Sequence, residues 1–430
     1  MERSIFSELI KWKNKKNRKP LILQGARQVG KTWIMREFGR LCYENMAYIN
    51  LDNNPAMKTS FSIDRNVHRI MEDISIQSGS NIMPDKTLII LDEIQEVPDA
   101  ISCLKYFCEE AADYHVIVAG SLLGVAIQKG ISYPVGKVDV LNMYPLSFAE
   151  FLNALGENEL SSYSFDIESD KNLTFREKYL ELLKKYYFVG GMPEAVLTYV
   201  NEKDYAGVRQ IQTNIIRLYE NDFSKHTENK TELERTRLVW NSIPVQLAKE
   251  NKKFFFSRIK KGARSKDFEV SIQWLVDCGL AYRVFCVSKP AVPLKAYAEF
   301  SAYKLFFLDV GLLCAMSELD AKSLLEGNRI FVEFKGSLTE QYVLQELKVL
   351  GKYTPYYYSN ENSTNEIDFL IQQGMDAVPI EVKAEENLRS KSLKAFVEKY
   401  DIPNAIRFSM SSYKNQAWLT NIPLWNVCGI

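Results

Sequence analysis

The chain has 430 residues, 46% of them hydrophobic and 25% charged, with 54 basic and 54 acidic side chains for a formal net charge of zero. That length favours roughly two to four domains, and the charge balance excludes a molecule that binds polyanions through its total charge alone. No stretch approaches the roughly 18 uninterrupted apolar residues of a membrane span, and MERSIFSELIKWKNKKNRKP lacks the apolar core of a signal peptide, so a cytoplasmic protein with no membrane partner is expected.

Seven cysteines, at 42, 103, 108, 278, 286, 314 and 428, form no CxxC pair, and most lie in apolar surroundings. Reduced thiols without a disulfide framework follow. His68, His115 and His226 are scattered, so any metal is expected to be oxygen-bound.

Apolar runs of strand length recur at 21–24, 46–51, 87–91, 115–119 and 138–141, with helix-like patterns between the first four. Such alternation predicts an α/β fold with a parallel sheet covered on both faces, spanning residues 1–144, and ligands at the carboxyl ends of its strands. From 145 to 235 helical spacing takes over, broken by GGMP at 190–193, which predicts a helical lid. From 236 to 300 short helices followed by a hairpin pattern predict a winged helix-turn-helix. The remainder, 301–430, carries a helix near 338–350, strands near 366–371 and 378–383, and a helix near 390–400.

GARQVGKT at 25–32 fits GxxxxGK[ST] and lies between an apolar strand and a helix. Chemistry dictates the spacing. Gly25 and Gly30 let the backbone of Gly25, Ala26, Arg27, Gln28, Val29 and Gly30 curl around the phosphates of ATP. Lys31 reaches the β and γ phosphates and Thr32 ligates magnesium. TLIILDE at 87–93 supplies the second half. Asp92 at the strand tip holds the magnesium shell, and Glu93 orients the attacking water. An Asp-Glu pair also suits a helix N-cap, but four apolar β-type residues precede this one. HVIVAGS ends in Ser121, placed as a sensor of the γ-phosphate, although a serine after glycine is also a common turn. Lys137 and Arg217 are weaker candidates for a charge that completes a neighbour's site in a homo-oligomer.

These motifs, with LDEIQEVPD, AGSLLG, YPLSFAEF, GGMPEAV, KLFFLDVGLL, GSLTEQYVLQEL, EIDFLI and IEVKA, resemble AAA-superfamily ATPases of the archaeal-type group that join a P-loop domain to a C-terminal domain of unknown function. The resemblance spans nearly the whole chain and implies ATP hydrolysis with magnesium. Such proteins often carry Gly-Arg before the YPLSF-like element. Here the pair is Gly136-Lys137, which keeps the charge and loses bidentate geometry.

The C-terminal text resembles the PD-(D/E)xK nuclease arrangement, implying a restriction-endonuclease-like α/β domain. In that resemblance Asp368 and Glu381 are magnesium ligands, Lys383 activates water, and Glu340 is a further acid. Alternate residues of one strand share a face, so Glu381 and Lys383 can serve one metal, although charged residues also alternate on any half-exposed strand. Two basic runs stand apart: 11–19, with six basic residues, and 245–266, whose eight against Glu250 give +7. Either suits a solvated face; the second, inside the winged-helix candidate, also suits DNA. The sequence thus points to a magnesium ATPase coupled to a DNA-directed half, with nuclease activity as its furthest extension. The rival is an ATP-driven switch whose C-terminal half binds protein partners.

Overall fold

A computed structural model describes residues 1–120, 133–226, 229–249, 252–322, 329–360, 366–384 and 390–430, with 225–226 and 329–333 described by their backbone alone. The chain separates into two compact units: Glu2–Tyr144 with Asp277–Gly279, and Pro145–Val276 with Leu280–Ile430 and Met1. Among the described residues no helix is long and apolar enough to cross a membrane.

The first unit is built on five parallel strands, β1 (Leu21–Gln24), β2 (Asn45–Asn50), β3 (Thr87–Asp92), β4 (His115–Gly120) and β5 (Asp139–Asn142). They lie in the order β2-β3-β4-β1-β5. Every residue of β3 and β4 is buried, whereas the edge strand β5 alternates in and out. Continuous apolar runs are what a sheet covered on both faces demands. Because β4 lies between β1 and β3, the chain leaving β1 and the chain leaving β3 come out on either side of β4. That places residues 25–32 and 92–93 at one end of the sheet, where open parallel sheets hold their ligands.

The second unit carries helices Phe148–Ala154, Asn158–Tyr163, Asp170–Thr174, Arg176–Val189, Pro193–Glu202, Tyr205–His226, Lys230–Leu247 and Ser265–Asp277 before its sheet begins. The sheet comprises β6 (Ala281–Val287), β7 (Ala298–Phe307), β8 (Tyr356–Ser359), β9 (Glu366–Gln373), β10 (Asp376–Val382), β11 (Ala405–Ser409), β12 (Lys414–Asn415) and β13 (Leu419–Pro423). Their order is β12-β13-β11-β10-β9-β8-β6-β7, parallel at β6–β8, β10–β11 and β11–β13. The hairpin expected as the wing of a separate module ending at 300 is β6–β7, which runs on to Phe307 and joins β8 in this sheet. Residues 302–307 are buried, and that apolar stretch needs the sheet interior rather than a solvated wing.

GGMP and KLFFLDVGLL meet in the core of this unit. A Cβ on Gly190 would lie 2.2 Å from Asp309 Oδ1 and 2.8 Å from Gly311 Cα, and one on Gly191 2.2 Å from the Leu146 carbonyl oxygen. Only glycines admit this approach, and the φ of 72° at Gly190 requires one as well. Gly191 N–H donates to Asp309 Oδ2 at 2.6 Å, Leu312 N–H to Oδ1 at 2.9 Å, and Gln345 Nε2 to the Tyr186 hydroxyl at 2.8 Å.

The next residue, Glu346, is 2% exposed and accepts the Phe148 N–H at 2.8 Å. Burial, reinforced by the charge of Glu150, pushes its carboxyl group up to about 8. The folded state thus holds a proton that the unfolded chain releases in the ordinary glutamate range. The stability this contributes is full at low pH and is lost as pH rises toward about 8. Replacing Glu346 with Gln, which keeps the acceptor, is expected to leave the melting temperature unchanged at pH 4.5 and to raise it by about 2–4 °C at pH 8.5 in calorimetry. Equal melting curves at both pH values would show that Glu346 is not held neutral.

Candidate nucleotide site and a C-terminal acid cluster

The nucleotide-site candidates fall on the turn between β1 and helix Lys31–Cys42, and on the tip of β3. Gly25 has φ 153° and Gly30 φ 99°, and a Cβ on Gly25 would lie 2.2 Å from the Met143 carbonyl oxygen. Both glycines are therefore required by backbone shape. Gln28, at φ 64°, takes the left-handed conformation without being glycine. Gly30 caps the helix, so its first N–H groups point out of the turn and form an anion-attracting end.

Lys31 is 7% exposed, and its ammonium donates to the carbonyls of Gly25 at 2.9 Å and Ala26 at 2.7 Å. Burial draws its pKa down to about 8, opposed by the charges of Glu93 and Asp92. The Thr32 hydroxyl donates to Asp92 Oδ2 at 2.6 Å. Two oxygen groups expected around one magnesium ion, sixty positions apart in sequence, are thus in direct contact. The donor chemistry, a hydroxyl and a carboxylate, fits a hard cation.

Glu93 sits at φ 53°, a left-handed conformation that costs a non-glycine residue of order 1 kcal/mol. Its side chain accepts from Gln95 Nε2 at 2.5 Å, and its N–H donates to Asp92 Oδ1 at 3.1 Å.

Sequence reasoning missed three supporting residues. Tyr48 donates to Asp92 Oδ2 at 3.0 Å, Arg36 stacks over the Tyr48 ring at 3.8 Å, and Gln95 holds Glu93. Tyr48 carries a readable signal, a phenol near the end of a strand that neighbours the Asp92 strand. Lys137 is paired with Glu109 at 2.8 Å, and Arg217 is exposed on helix Tyr205–His226. Ser121 lies outside the described residues.

Residues 17–152 match a family model described as an AAA domain. That match includes both the turn at 25–32 and the tip of β3, so this part of the chain is similar to AAA domains. Residues 180–323 and 335–427 match two domains of unknown function, DUF8612 and DUF4143. Similar solved structures include the Walker-type ATPase PABY2304 of Pyrococcus abyssi, 14% identical, with TM-score 0.47 over 74% of this chain and 95% of that one. The Orc1 protein of Aeropyrum pernix in complex with DNA is 13% identical, with TM-score 0.28 over 74% and 93%. AMPPCP-bound DnaA from Aquifex aeolicus is 13% identical, with TM-score 0.24 over 63% and 85%. A search of curated proteins returns no match.

In the second unit, the C-terminal candidates converge in part. Antiparallel pairing sets Ile380 opposite Phe369, the last pair of the β9–β10 ladder, with Glu381 and Asp368 the next residues beyond it. The side chains then divide. Glu381 pairs with Lys383 at 3.1 Å and accepts from the Ser390 hydroxyl, to which Arg407 Nη1 donates at 2.9 Å. Asp368 Oδ2 takes the Val382 N–H at 2.7 Å, and the Asp368 carboxyl group meets Glu340.

Two unforeseen lysines enter beside that pair. Lys304, fully buried in β7, binds Glu366 at 2.6 Å and lies 3.7 Å from Glu340 Oε2; Lys252 hydrogen-bonds Glu340 Oε1. Burial opposes the Lys304 charge, yet Glu366, Glu340 and Asp368 together raise its pKa above the usual lysine range. Burial likewise opposes ionisation of Glu340, but Lys252 and Lys304 outweigh it and hold that carboxylate below its ordinary value. Asp368 is pushed up, first by burial and then by the Glu340 charge. Among the described residues no three His, Cys, Asp or Glu side chains form a ready ligand set. The lysines account for that, since they hold the acids in pairs. A lone lysine inside the apolar run AYKLFFL was the legible sign of Lys304.

Within 245–266, Lys249, Arg258, Lys260, Lys261, Arg264 and Lys266 are exposed, whereas Lys252 turns inward with 12% of its side chain exposed. Residues 250–251 lie outside the described residues. Phe254 is buried and stacks on Tyr303 at 5.7 Å.

Proposed function

We propose that the chain is a magnesium-dependent ATPase that hydrolyses ATP at residues 25–32 with Asp92 and Glu93. The observation that carries this reading is the contact of the Thr32 hydroxyl with Asp92, beside a desolvated Lys31 and a left-handed Glu93. Gly25 to Gly30 wrap the phosphates, Lys31 brings positive charge to the β and γ phosphates, and Glu93 orients water for attack on the γ-phosphate. Magnesium, held by Thr32 and Asp92, supplies charge that offsets the negative charge growing on the phosphate oxygens. Glu93→Gln keeps the polar shape and removes the charge. It is expected to leave ATP affinity within about threefold of wild type and to cut turnover by at least about 100-fold. An affinity loss equal to the loss in turnover would remove Glu93 from its role.

For the second unit we infer a phosphodiester-directed function, with a winged-helix-like helical part, a restriction-endonuclease-like sheet and DNA as the ligand class. The supporting observation is that a buried acid pair, Glu340 and Asp368, shares this unit with six exposed cations of one basic segment. Glu340 Oε2 is buried 3.7 Å from the Lys304 ammonium, and the Glu340 carboxylate also meets Asp368. A divalent cation held by Asp368 and Glu381, the ligands the resemblance implies, would supply charge to a phosphate and acidity to water. DNA affinity is expected to fall log-linearly with salt. Reversing charge at Lys260, Lys261 and Arg264 is expected to reduce the slope by roughly one for each phosphate that is no longer neutralised, with basal ATP hydrolysis unchanged. Wild-type protein without measurable DNA affinity at low salt would favour the protein-binding switch instead.

A further inference from the structure

Among the described residues, three donors hold the Asp92 carboxylate of the nucleotide site. Thr32, on helix Lys31–Cys42, donates its hydroxyl to Oδ2 at 2.6 Å, and Tyr48, on β2, donates its phenol to the same oxygen at 3.0 Å. The Glu93 N–H donates to Oδ1 at 3.1 Å. Parallel pairing sets Tyr48 beside Ile90, two positions before Asp92, and the phenol spans the remaining roughly 7 Å of strand. An ionised carboxylate offers about four acceptor positions, two on each oxygen. Thr32 and Tyr48 fill those of Oδ2, so among the described residues the open position of Asp92 is on Oδ1. Arg36 stacks 3.8 Å from the centre of the Tyr48 ring, and it follows Thr32 by one turn of the helix. One helix thus supplies both a donor to Asp92 and the group that steadies the second donor.

We infer that Tyr48 is a positioning residue of the nucleotide site: by filling the second acceptor position of Asp92 Oδ2, its phenol reserves Oδ1 for the magnesium shell. This rests on the reading of the site as a magnesium ATPase. Without the phenol, Oδ2 has an acceptor position to satisfy, and water or the cation itself competes there with the Thr32 hydroxyl. The carboxylate then has no single preferred orientation, and ordering it again opposes cation binding, as happens when a ligating carboxylate loses its hydrogen-bonding partner. Because the phenol acts through Asp92, its effect belongs to the magnesium-dependent part of ATP binding. The part made by the 25–30 backbone and Lys31 is left alone. A tyrosine that only packed β2 against the helix would weaken both parts alike.

The experiment uses the full chain and a fluorescent ATP analogue, titrated in EDTA and at a series of magnesium concentrations. The readout is the magnesium concentration that gives half of the full tightening of nucleotide binding. Tyr48→Phe, which keeps the ring and removes only the hydroxyl, is expected to need about tenfold more magnesium than wild type, with affinity in EDTA within about twofold. Asp92→Asn is expected to weaken the magnesium effect more than Tyr48→Phe does, and adding Tyr48→Phe to it should change nothing further. Arg36→Met, which loosens the ring and leaves the hydroxyl, is expected to shift the magnesium requirement about threefold in the same direction, and it replaces Tyr48→Phe if the latter fails to fold. Wild-type magnesium dependence in folded Tyr48→Phe would overturn the role of Tyr48 while leaving the nucleotide site intact. Equal losses in EDTA and in magnesium, or a further loss in the Asp92→Asn background, would also overturn it. Wild-type protein whose ATP affinity ignores magnesium would overturn the magnesium reading of the site itself.

Discussion

Lys31→Ala is expected to lower ATP affinity by at least about 100-fold and to abolish measurable hydrolysis, because the variant cannot make charge-assisted hydrogen bonds of about 1.5–3 kcal/mol each in a dry site. Lys31 is 7% exposed, so solvent does little to screen its charge. Its ammonium binds the Gly25 and Ala26 carbonyls, within the very loop that must wrap the phosphates. Arg27 is the nearest alternative cation, and it already lowers the Lys31 pKa by like-charge repulsion, but a guanidinium on the loop itself does not reproduce an ammonium projecting from the helix start. A titration with a fluorescent ATP analogue reads the affinity, and circular dichroism checks the fold. Near-normal affinity in a folded Lys31→Ala protein would mean that the nucleotide is held elsewhere. The contrast with Glu93→Gln separates phosphate binding from orientation of water.

The first unit was legible because its chemistry and its fold use the same text. The apolar runs at 21–24, 87–91 and 115–119 are buried strands almost to the residue, and the functional groups follow them directly. What could not be read was conformation, such as the left-handed Glu93, and partners drawn from other strands, such as Tyr48 on Asp92.

In the second unit the pattern fails for a physical reason: its interior is unusually polar. Helix Arg329–Leu350 buries Thr339, Glu340, Gln341, Gln345 and Glu346 along with Leu338, Val343, Leu344 and Leu347, so buried polar and apolar positions are mixed around it, and only its part near 338–350 was legible. Strand β11 carries Arg407 at 2% exposure, and β8 is a run of tyrosines, so neither announces itself. The same polarity explains why the acid cluster was only half seen. Asp368, Glu381, Lys383 and Glu340 form short motifs, whereas Lys252, Lys304, Glu366, Ser390 and Arg407 are brought to them by the sheet and the helices.

Asp368→Ala and Lys383→Ala are each expected to abolish divalent-metal-dependent cleavage of DNA, by more than about 100-fold, with ATP hydrolysis unchanged. Asp368 is the group least compensated by the resident lysines, and it lies just past the last pair of the β9–β10 ladder, as Glu381 does on the other strand. Removing it takes away a ligand on one side of the cation and leaves Glu340 with Lys252 and Lys304, a pairing that attracts no further charge. Lys383 acts differently. It is 36% exposed beside Glu381, so it can stabilise a hydroxide without being locked in a dry pair. Its loss should therefore spare manganese(II) binding while stopping cleavage, whereas loss of Asp368 should remove both. That split between binding and cleavage is the decisive readout. Two variants that fail alike in binding would make Lys383 a structural partner of Glu381, and wild-type protein that binds the cation and DNA without cutting would place the cluster among binding sites.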